Sequence, residues 1–216
     1  MSSMVVLNAE HQAVKHLCKV DRRLAKVIAL VGEVKYEPHT DNPYAFLVHE
    51  IIEQMLSVKA GAKIFERLEI LCDGEITPAK IAALTDEQIR STGTAGAKVT
   101  YIKNLTDLVL SETLDLSKLS LLSDEEVISK LVGIRGIGSW TAKMYLLFVL
   151  DRPDVLPYED VAFLQAFCWM QKTSDRNKDI VLKKCKKWKP YSSTASRFLY
   201  RALDIGLTKT EFHLFK

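Results

Sequence analysis

Residues 131–142 read Leu131-Val-Gly-Ile-Arg-Gly-Ile-Gly-Ser-Trp-Thr-Ala142, with three glycines between two runs of helical apolar periodicity. Glycine adopts backbone conformations closed to other residues and places no Cβ between the backbone and a ligand. A hairpin of this kind can present its N–H groups to a phosphate, and the start of the following helix adds partial positive charge there. The stretch therefore predicts two helices joined by a tight, phosphate-binding hairpin.

The composition suits one large domain or two small lobes. The chain has 216 residues, of which 48% are hydrophobic and 26% charged, enough for a buried core. Residues 1–10 lack a signal-peptide pattern, and no uninterrupted apolar run reaches transmembrane length. We therefore expect a soluble intracellular protein, placed in the cytoplasm of a bacterium or the nucleus of a eukaryote.

Charge and cysteine content limit the possible partners and cofactors. The net charge of +3 does not by itself indicate a nucleic-acid partner, but residues 172–201 hold ten Lys or Arg against two acids. That segment predicts either a face that meets phosphates or an ordinary solvated lysine-rich face. The four cysteines are widely spaced, so they predict free thiols and neither a zinc site nor an iron–sulfur cluster.

The rest of the chain reads as helices joined by short loops, which predicts an all-α fold. Thr77-Pro78 is typical of a helix start, and Thr85 and Ser123 each begin a capping-box pattern. The predicted helices span about 8–31, 44–71 with a break near Ser57 or Gly61, 139–150, 160–171, 179–188 and 192–203.

Four further motifs accompany the hairpin in a fixed order. Gln54-Met-Leu-Ser57 precedes an Ala-rich turn, Gly93-Thr-Ala-Gly-Ala-Lys98 leads into Tyr101-Ile102, Asp160 follows the hairpin, and Trp188-Lys-Pro-Tyr191 opens the last helix. The ordered set, over about residues 44–203, resembles DNA-3-methyladenine glycosylase II, the alkylbase branch of the helix-hairpin-helix DNA glycosylases. Thr94 stands where that family usually has serine.

The resemblance implies a monomeric two-lobed fold without an N-terminal β-domain and with the active site in the interlobe cleft. One lobe would hold residues 44–155, and the other 1–43 with 156–216. It also implies a base-excision-repair enzyme that flips alkylated bases out of double-stranded DNA and hydrolyses their N-glycosidic bond.

Asp160 matches the catalytic aspartate of the family. A carboxylate beside the sugar stabilises the oxocarbenium-like state that forms as the base leaves. The local sequence alone favours a helix N-cap at Asp160 before Val161, and both roles are compatible. Glu159 is the weaker candidate.

The resemblance places Trp140 and Tyr200 in the base pocket, where an aromatic face suits a cationic methylated base. Core packing is the alternative for both. Gln54, Met55 and Leu56 match the wedge that fills the gap left by a flipped base, with Met55 as the plug; here too the alternative is the core.

In the hairpin, the N–H groups of Gly136 and Gly138, with Thr141, are predicted to hold a phosphate. Lys143 is a further candidate whose alternative is a solvated surface lysine. The carbonyls of Val132, Ile134 and Ile137 match positions that bind a monovalent structural cation in relatives. No cofactor is expected to be required for catalysis.

Three departures and two alternatives remain. Lyase-type relatives carry a nucleophilic lysine at the position of Trp140, so a monofunctional hydrolase is predicted. Tyr200 replaces a more usual tryptophan, and Ser192 an arginine. The scaffold also suits a glycosylase for deaminated or oxidised bases, or a non-catalytic module that binds damaged DNA.

Overall fold

The computed structural model describes residues 4–214, which divide into two compact units. The central unit comprises residues 39–150, and the terminal unit combines the described residues up to 38 with those from 151. The predicted all-α fold is confirmed apart from one pair of short antiparallel strands, β1 (Val5–Leu7) and β2 (Val34–Tyr36), which the sequence pattern did not predict. No described helix has both the length and the apolar character to cross a membrane.

The α-helices have the following bounds in chain order: α1 (Gln12–Val20), α2 (Arg22–Val31), α3 (Pro43–Glu53), α4 (Val58–Leu71), α5 (Pro78–Ala83), α6 (Asp86–Ser91), α7 (Gly96–Leu110), α8 (Asp124–Val132), α9 (Ser139–Phe148), α10 (Val161–Gln171), α11 (Lys178–Cys185) and α12 (Ser192–Asp204). Short 3₁₀ turns occupy Leu116–Leu121, Lys186–Trp188 and Leu207–Lys209.

Capping residues set the helix starts as predicted. Thr77 caps α5, and the capping boxes at Thr85 and Ser123 are both complete, with Gln88 and Glu126 as the reciprocal partners. The long apolar run that begins at Tyr44 is broken by Ser57, whose hydroxyl accepts the N–H of Ala60 at 3.3 Å and starts α4.

One predicted helix is wrong, because residues 8–31 form two helices separated by Asp21. The Asp21 backbone is extended (φ −138°), and its Oδ1 accepts the N–H groups of Arg23 at 3.0 Å and Leu24 at 3.2 Å. An aspartate gains this cap only by leaving the helical conformation. The apolar periodicity continues across Asp21, so the sequence pattern does not reveal that the helix ends there.

Asp21 also anchors the core of the terminal unit. Its carboxylate is 2% exposed, and its Oδ2 accepts the indole N–H of Trp188 at 2.9 Å and lies 3.1 Å from the ammonium of Lys187. Trp188 is fully buried beside Phe163 and Phe167 of α10. The Trp188-Lys-Pro-Tyr191 motif therefore includes a structural tryptophan that ties the segment before α12 to the start of α2.

We expect Asp21→Ala to destabilise the terminal unit by about 3 kcal/mol, because it removes a helix cap and leaves the buried indole N–H without its acceptor. Urea unfolding followed by circular dichroism measures the loss. The matched control is Asp115→Ala, which removes a cap from an exposed 3₁₀ turn, where Asp115 accepts the Ser117 N–H at 3.0 Å. Equal losses in the two variants would contradict the anchoring role.

The central unit is built around α3, which packs against α4, α7 and α9, while α8 packs against α9. The inner face of α3 is apolar and buried, including Phe46, Leu47, Ile51 and Ile52. This packing fixes two short segments that connect helices, residues 54–57 after α3 and residues 133–138 between α8 and α9. In the terminal unit α10 packs on α12 and α2, which fixes the start of α10 at Asp160.

Candidate active site and DNA interface

The predicted hairpin joins α8 to α9. Within it the Ile137 N–H donates to the Ile134 carbonyl at 3.0 Å, which closes the turn. Gly136 has φ +93°, and a Cβ built there would lie 2.3 Å from Cγ of Tyr101 on α7. Both the backbone conformation and the contact with Tyr101 therefore require glycine at position 136.

The hairpin presents backbone donors as a phosphate site needs. Gly138 is the N-cap of α9, and a Cβ there would meet no atom within 4 Å. Among the described residues nothing accepts a hydrogen bond from the N–H of Gly136 or of Gly138. Two unused donors beside the positive end of a helix are suited to binding an anion.

Thr141 and Lys143 are placed differently from the two glycines. Thr141 is 1% exposed, and its hydroxyl accepts from the side-chain amide of Gln54 at 3.4 Å. Lys143 is 8% exposed, so the alternative of a solvated surface lysine is wrong. The backbone of the two glycines is thus the most accessible part of the predicted phosphate set.

The carbonyl groups of the hairpin suit the predicted monovalent cation. The Ile134 carbonyl accepts one hydrogen bond and keeps a second lone pair. In the described part of the chain, the carbonyls of Val132 and Ile137 accept no hydrogen bond. Neutral carbonyl oxygens of this kind are suitable ligands for an alkali cation, so the carbonyls of Val132, Ile134 and Ile137 fit a monovalent cation.

The predicted wedge forms a tight turn beyond the end of α3. Met55 has φ +60° and its side chain is fully exposed, so the alternative that Met55 belongs to the core is wrong. Leu56 is 42% exposed. Gln54 points back into the unit, where its amide donates to the Gly136 carbonyl at 2.9 Å. Met55 is therefore the projecting member of the three residues.

Asp160 is the N-cap of α10, as its local sequence indicates. Its Oδ1 accepts the Phe163 N–H at 2.6 Å, and its own N–H donates to the Pro157 carbonyl at 2.9 Å. The residue is 9% exposed, whereas neighbouring Glu159 is exposed. The cap fixes the direction of the carboxylate, which a catalytic group also requires.

The two predicted pocket aromatics are both half-buried. Trp140 lies in the first turn of α9, and Tyr200 lies on α12 against the core of the terminal unit. Ser192, in place of the family's arginine, is 3% exposed and donates from its hydroxyl to Asp154 Oδ1 at 2.5 Å. This departure therefore replaces a basic residue with a structural contact between α12 and the loop before α10.

The lysine-rich segment of residues 172–201 is partly used within the terminal unit. Lys172, Lys187 and Lys189 form ion pairs with Glu211, Asp21 and Asp154. In each pair a carboxylate offsets the positive charge that the lysine would otherwise offer to a phosphate. Both the phosphate-binding face and the solvated lysine-rich face therefore stay predictions for this segment.

One group of side chains in the described residues has metal-ligand chemistry: His49, Glu50 and Glu53 on α3. The His49 Nδ1 lies 3.5 Å from Glu50, and its Nε2 lies 3.5 Å from Glu53. Burial opposes charge on the imidazole, but the hydrogen bond with Glu50 and the charges of Glu53 and Glu50 raise the pKa of His49 overall. Because the two ring nitrogens face different carboxylates, the geometry favours an ion-paired cluster at the end of α3.

Two helices joined by a glycine hairpin, with the N–H groups of Gly136 and Gly138 left without an acceptor among the described residues, are typical of the helix-hairpin-helix class of DNA-binding proteins. Residues 48–190 match the model of the HhH-GPD superfamily of base excision DNA repair proteins, and the chain belongs to that family.

Three relatives extend the comparison. The chain is 29% identical over 199 residues to DNA-3-methyladenine glycosylase 1 of Schizosaccharomyces pombe, covering 88% of this chain and 86% of that protein. It is similar to the crystal structure of a DNA-3-methyladenine glycosidase from Bacillus halodurans, with a TM-score of 0.83, 33% identity and 97% of each chain covered. The S. pombe 3-methyladenine DNA glycosylase Mag1 in complex with abasic DNA also gives a TM-score of 0.83, at 26% identity, covering 91% of this chain and 98% of that one.

Proposed function

We propose that this protein is a monofunctional DNA glycosylase that binds double-stranded DNA and releases alkylated bases of the 3-methyladenine and 7-methylguanine type. The observation that carries the proposal is the combination in one chain of Asp160, capped and fixed in direction, with a glycine hairpin in which the N–H groups of Gly136 and Gly138 have no acceptor among the described residues. Relatives named as 3-methyladenine glycosylases over nearly the whole chain support the lesion class.

In the proposed reaction the hairpin binds the DNA backbone and the wedge stabilises the flipped-out state of the damaged nucleotide. The N–H groups of Gly136 and Gly138 hold one phosphate, which sets the register of the duplex without reading its sequence. Met55 enters the stack and fills the gap as the damaged nucleotide turns outward. A monovalent cation held by the carbonyls of Val132, Ile134 and Ile137 would add positive charge near that phosphate.

The chemical step needs little acid catalysis, because methylation of a ring nitrogen makes the base a cationic and therefore good leaving group. The N-glycosidic bond breaks, its electron pair leaves with the base, and positive charge develops on the sugar. The Asp160 carboxylate stabilises that charge and orients a water molecule, which adds to C1′ and loses a proton. An aromatic face beside the base would stabilise its positive charge, and Trp140 and Tyr200 are the family-matched candidates for that role.

A panel of duplexes tests the lesion class. Each carries one 7-methylguanine, hypoxanthine or 8-oxoguanine, and release of the free base is measured under single-turnover conditions. We expect the cationic methylated base to leave fastest. Faster release of hypoxanthine or 8-oxoguanine would favour the glycosylase for deaminated or oxidised bases, and binding without any release would favour the non-catalytic module.

A second prediction concerns the type of enzyme. Because Trp140 replaces the lysine nucleophile of lyase-type relatives, the product should be an intact abasic site, and borohydride should trap no protein–DNA adduct. Gel electrophoresis of the reaction before and after alkali measures strand breakage. Lys143, the nearest amine downstream in sequence, provides the counter-test: strong trapping that disappears in Lys143→Ala would assign the chain to the lyase branch.

A further inference from the structure

Lys98, on α7, holds the end of α3 at the point where the wedge begins. Its ammonium donates to the carbonyl of Ile52 at 2.8 Å and to that of Gln54 at 2.6 Å. The last carbonyls of a helix have no partner within the helix, and a cation there also suits the helix dipole. Lys98 is half-buried, and this burial lowers its pKa. The described hydrogen bonds of its ammonium go to these two carbonyls.

Met55, the residue after Gln54, has an energetically unfavourable conformation and environment. Met55 combines a left-handed backbone with a fully exposed apolar side chain. Such a conformation persists only where the surroundings enforce it. Here Lys98 binds the carbonyl of Gln54 on one side, and on the other the Leu56 N–H donates to the Glu53 carbonyl at 2.9 Å.

The same turn is fastened to the hairpin. The Gln54 side-chain amide donates to the carbonyl of Gly136, while the Gln54 carbonyl accepts from Lys98. Backbone and side chain of one residue thus connect α7, the wedge turn and the phosphate-binding hairpin of the central unit. A phosphate bound at Gly136 and a plug at Met55 would therefore be held at a fixed separation.

We propose that Lys98 is a positioning residue for base flipping: it fixes the end of α3 so that Met55 already projects beside the hairpin before DNA binds. This inference rests on the proposed function, since Lys98 can position the wedge for base flipping only if Met55 enters the duplex. Without Lys98 the turn would have to be ordered during insertion, and the entropy of ordering a residue or two corresponds to about tenfold in affinity. The phosphate contacts of the hairpin do not require that step.

The chain offers a matched control. Lys103 lies on the same helix and donates in the same way to the carbonyls of Ile81, Ala82 and Leu84 at the end of α5. Lys98→Met and Lys103→Met remove the same charge and the same kind of helix-end contact, but only the first contact adjoins the wedge. A purely structural role predicts equal effects.

The test measures binding to a duplex with a stable abasic-site analogue, which cannot be excised, and to the same duplex intact. A 2-aminopurine beside the analogue reports unstacking. We expect Lys98→Met to lower the preference for the abasic duplex about tenfold, with a loss of the fluorescence increase, and Lys103→Met to leave the preference unchanged. In a Met55→Ala protein, which should have lost the same preference, Lys98→Met should have no further effect.

Three outcomes decide the matter. Equal effects of Lys98→Met and Lys103→Met, or additive losses from Lys98→Met and Met55→Ala, would overturn the positioning role alone. A wild-type protein with no preference for the abasic duplex would count against the proposed function itself. Should Lys98→Met fail to fold, Lys98→Gln, which removes the charge and keeps a polar side chain, takes its place in the same cycle with Met55→Ala, with the same expected loss of preference and the same contradicting outcomes.

Discussion

Asp160→Asn should lower the rate of base release by on the order of 10²-fold or more while the protein keeps its fold and its affinity for DNA. The amide oxygen of asparagine can still accept the Phe163 N–H that Asp160 accepts at 2.6 Å, and asparagine caps helices as well as aspartate does. The substitution therefore removes the negative charge and little else. Single-turnover excision from a duplex with one 7-methylguanine gives the rate.

Two control variants separate the charge from the cap. Glu159→Gln neutralises the exposed neighbouring carboxylate and should excise at nearly the wild-type rate. Asp160→Ala removes charge and cap together, so it should show the same catalytic loss and an additional loss of stability of about 1 kcal/mol. Excision by a folded Asp160→Asn protein at the wild-type rate would leave Asp160 as a helix cap only.

Gly138→Leu should weaken binding to damaged and intact duplexes alike, by roughly 10- to 100-fold, the value of a hydrogen bond or two to a charged group. A Cβ added at Gly138 would meet no atom within 4 Å, so we expect the leucine side chain to obstruct the phosphate without disturbing the hairpin. Fluorescence anisotropy with both duplexes measures the two affinities.

Two other glycines make the hairpin experiment specific. Gly96→Leu, at the start of α7, also adds a side chain in open space and should leave both affinities unchanged. Gly136→Leu should instead destabilise the central unit, because the new side chain would collide with Tyr101. A loss in Gly138→Leu confined to damaged DNA would mean that the hairpin reads the lesion.

Local signals in the sequence predicted the helix starts and the hairpin well. Capping at Thr85 and Ser123 depends on residues three positions apart, and the glycine spacing of the hairpin is equally local. The break at Asp21 was missed because apolar periodicity continues through it, and β1 and β2 because strands of three residues carry too little alternation to detect.

The candidate site was only partly predictable for a different reason. Met55 follows Ile51 and Ile52 in an apolar run, and only the end of α3 at Glu53 separates the exposed plug from the buried face. Lys98 lies in the motif that begins at Gly93, but the sequence pattern gives Lys98 no role, because its contacts join residues more than forty positions apart. Contacts at that separation follow from helix packing, which no local pattern specifies.

The central claim, hydrolytic release of an alkylated base, is tested most directly by mass spectrometry of the small molecules freed from dimethyl-sulfate-treated duplex DNA. The wild-type protein should release free 3-methyladenine and 7-methylguanine and leave strands that break only after alkali, while Asp160→Asn should release them more slowly by on the order of 10²-fold or more. Absence of any free base above background with a folded, DNA-binding wild-type protein would contradict the account.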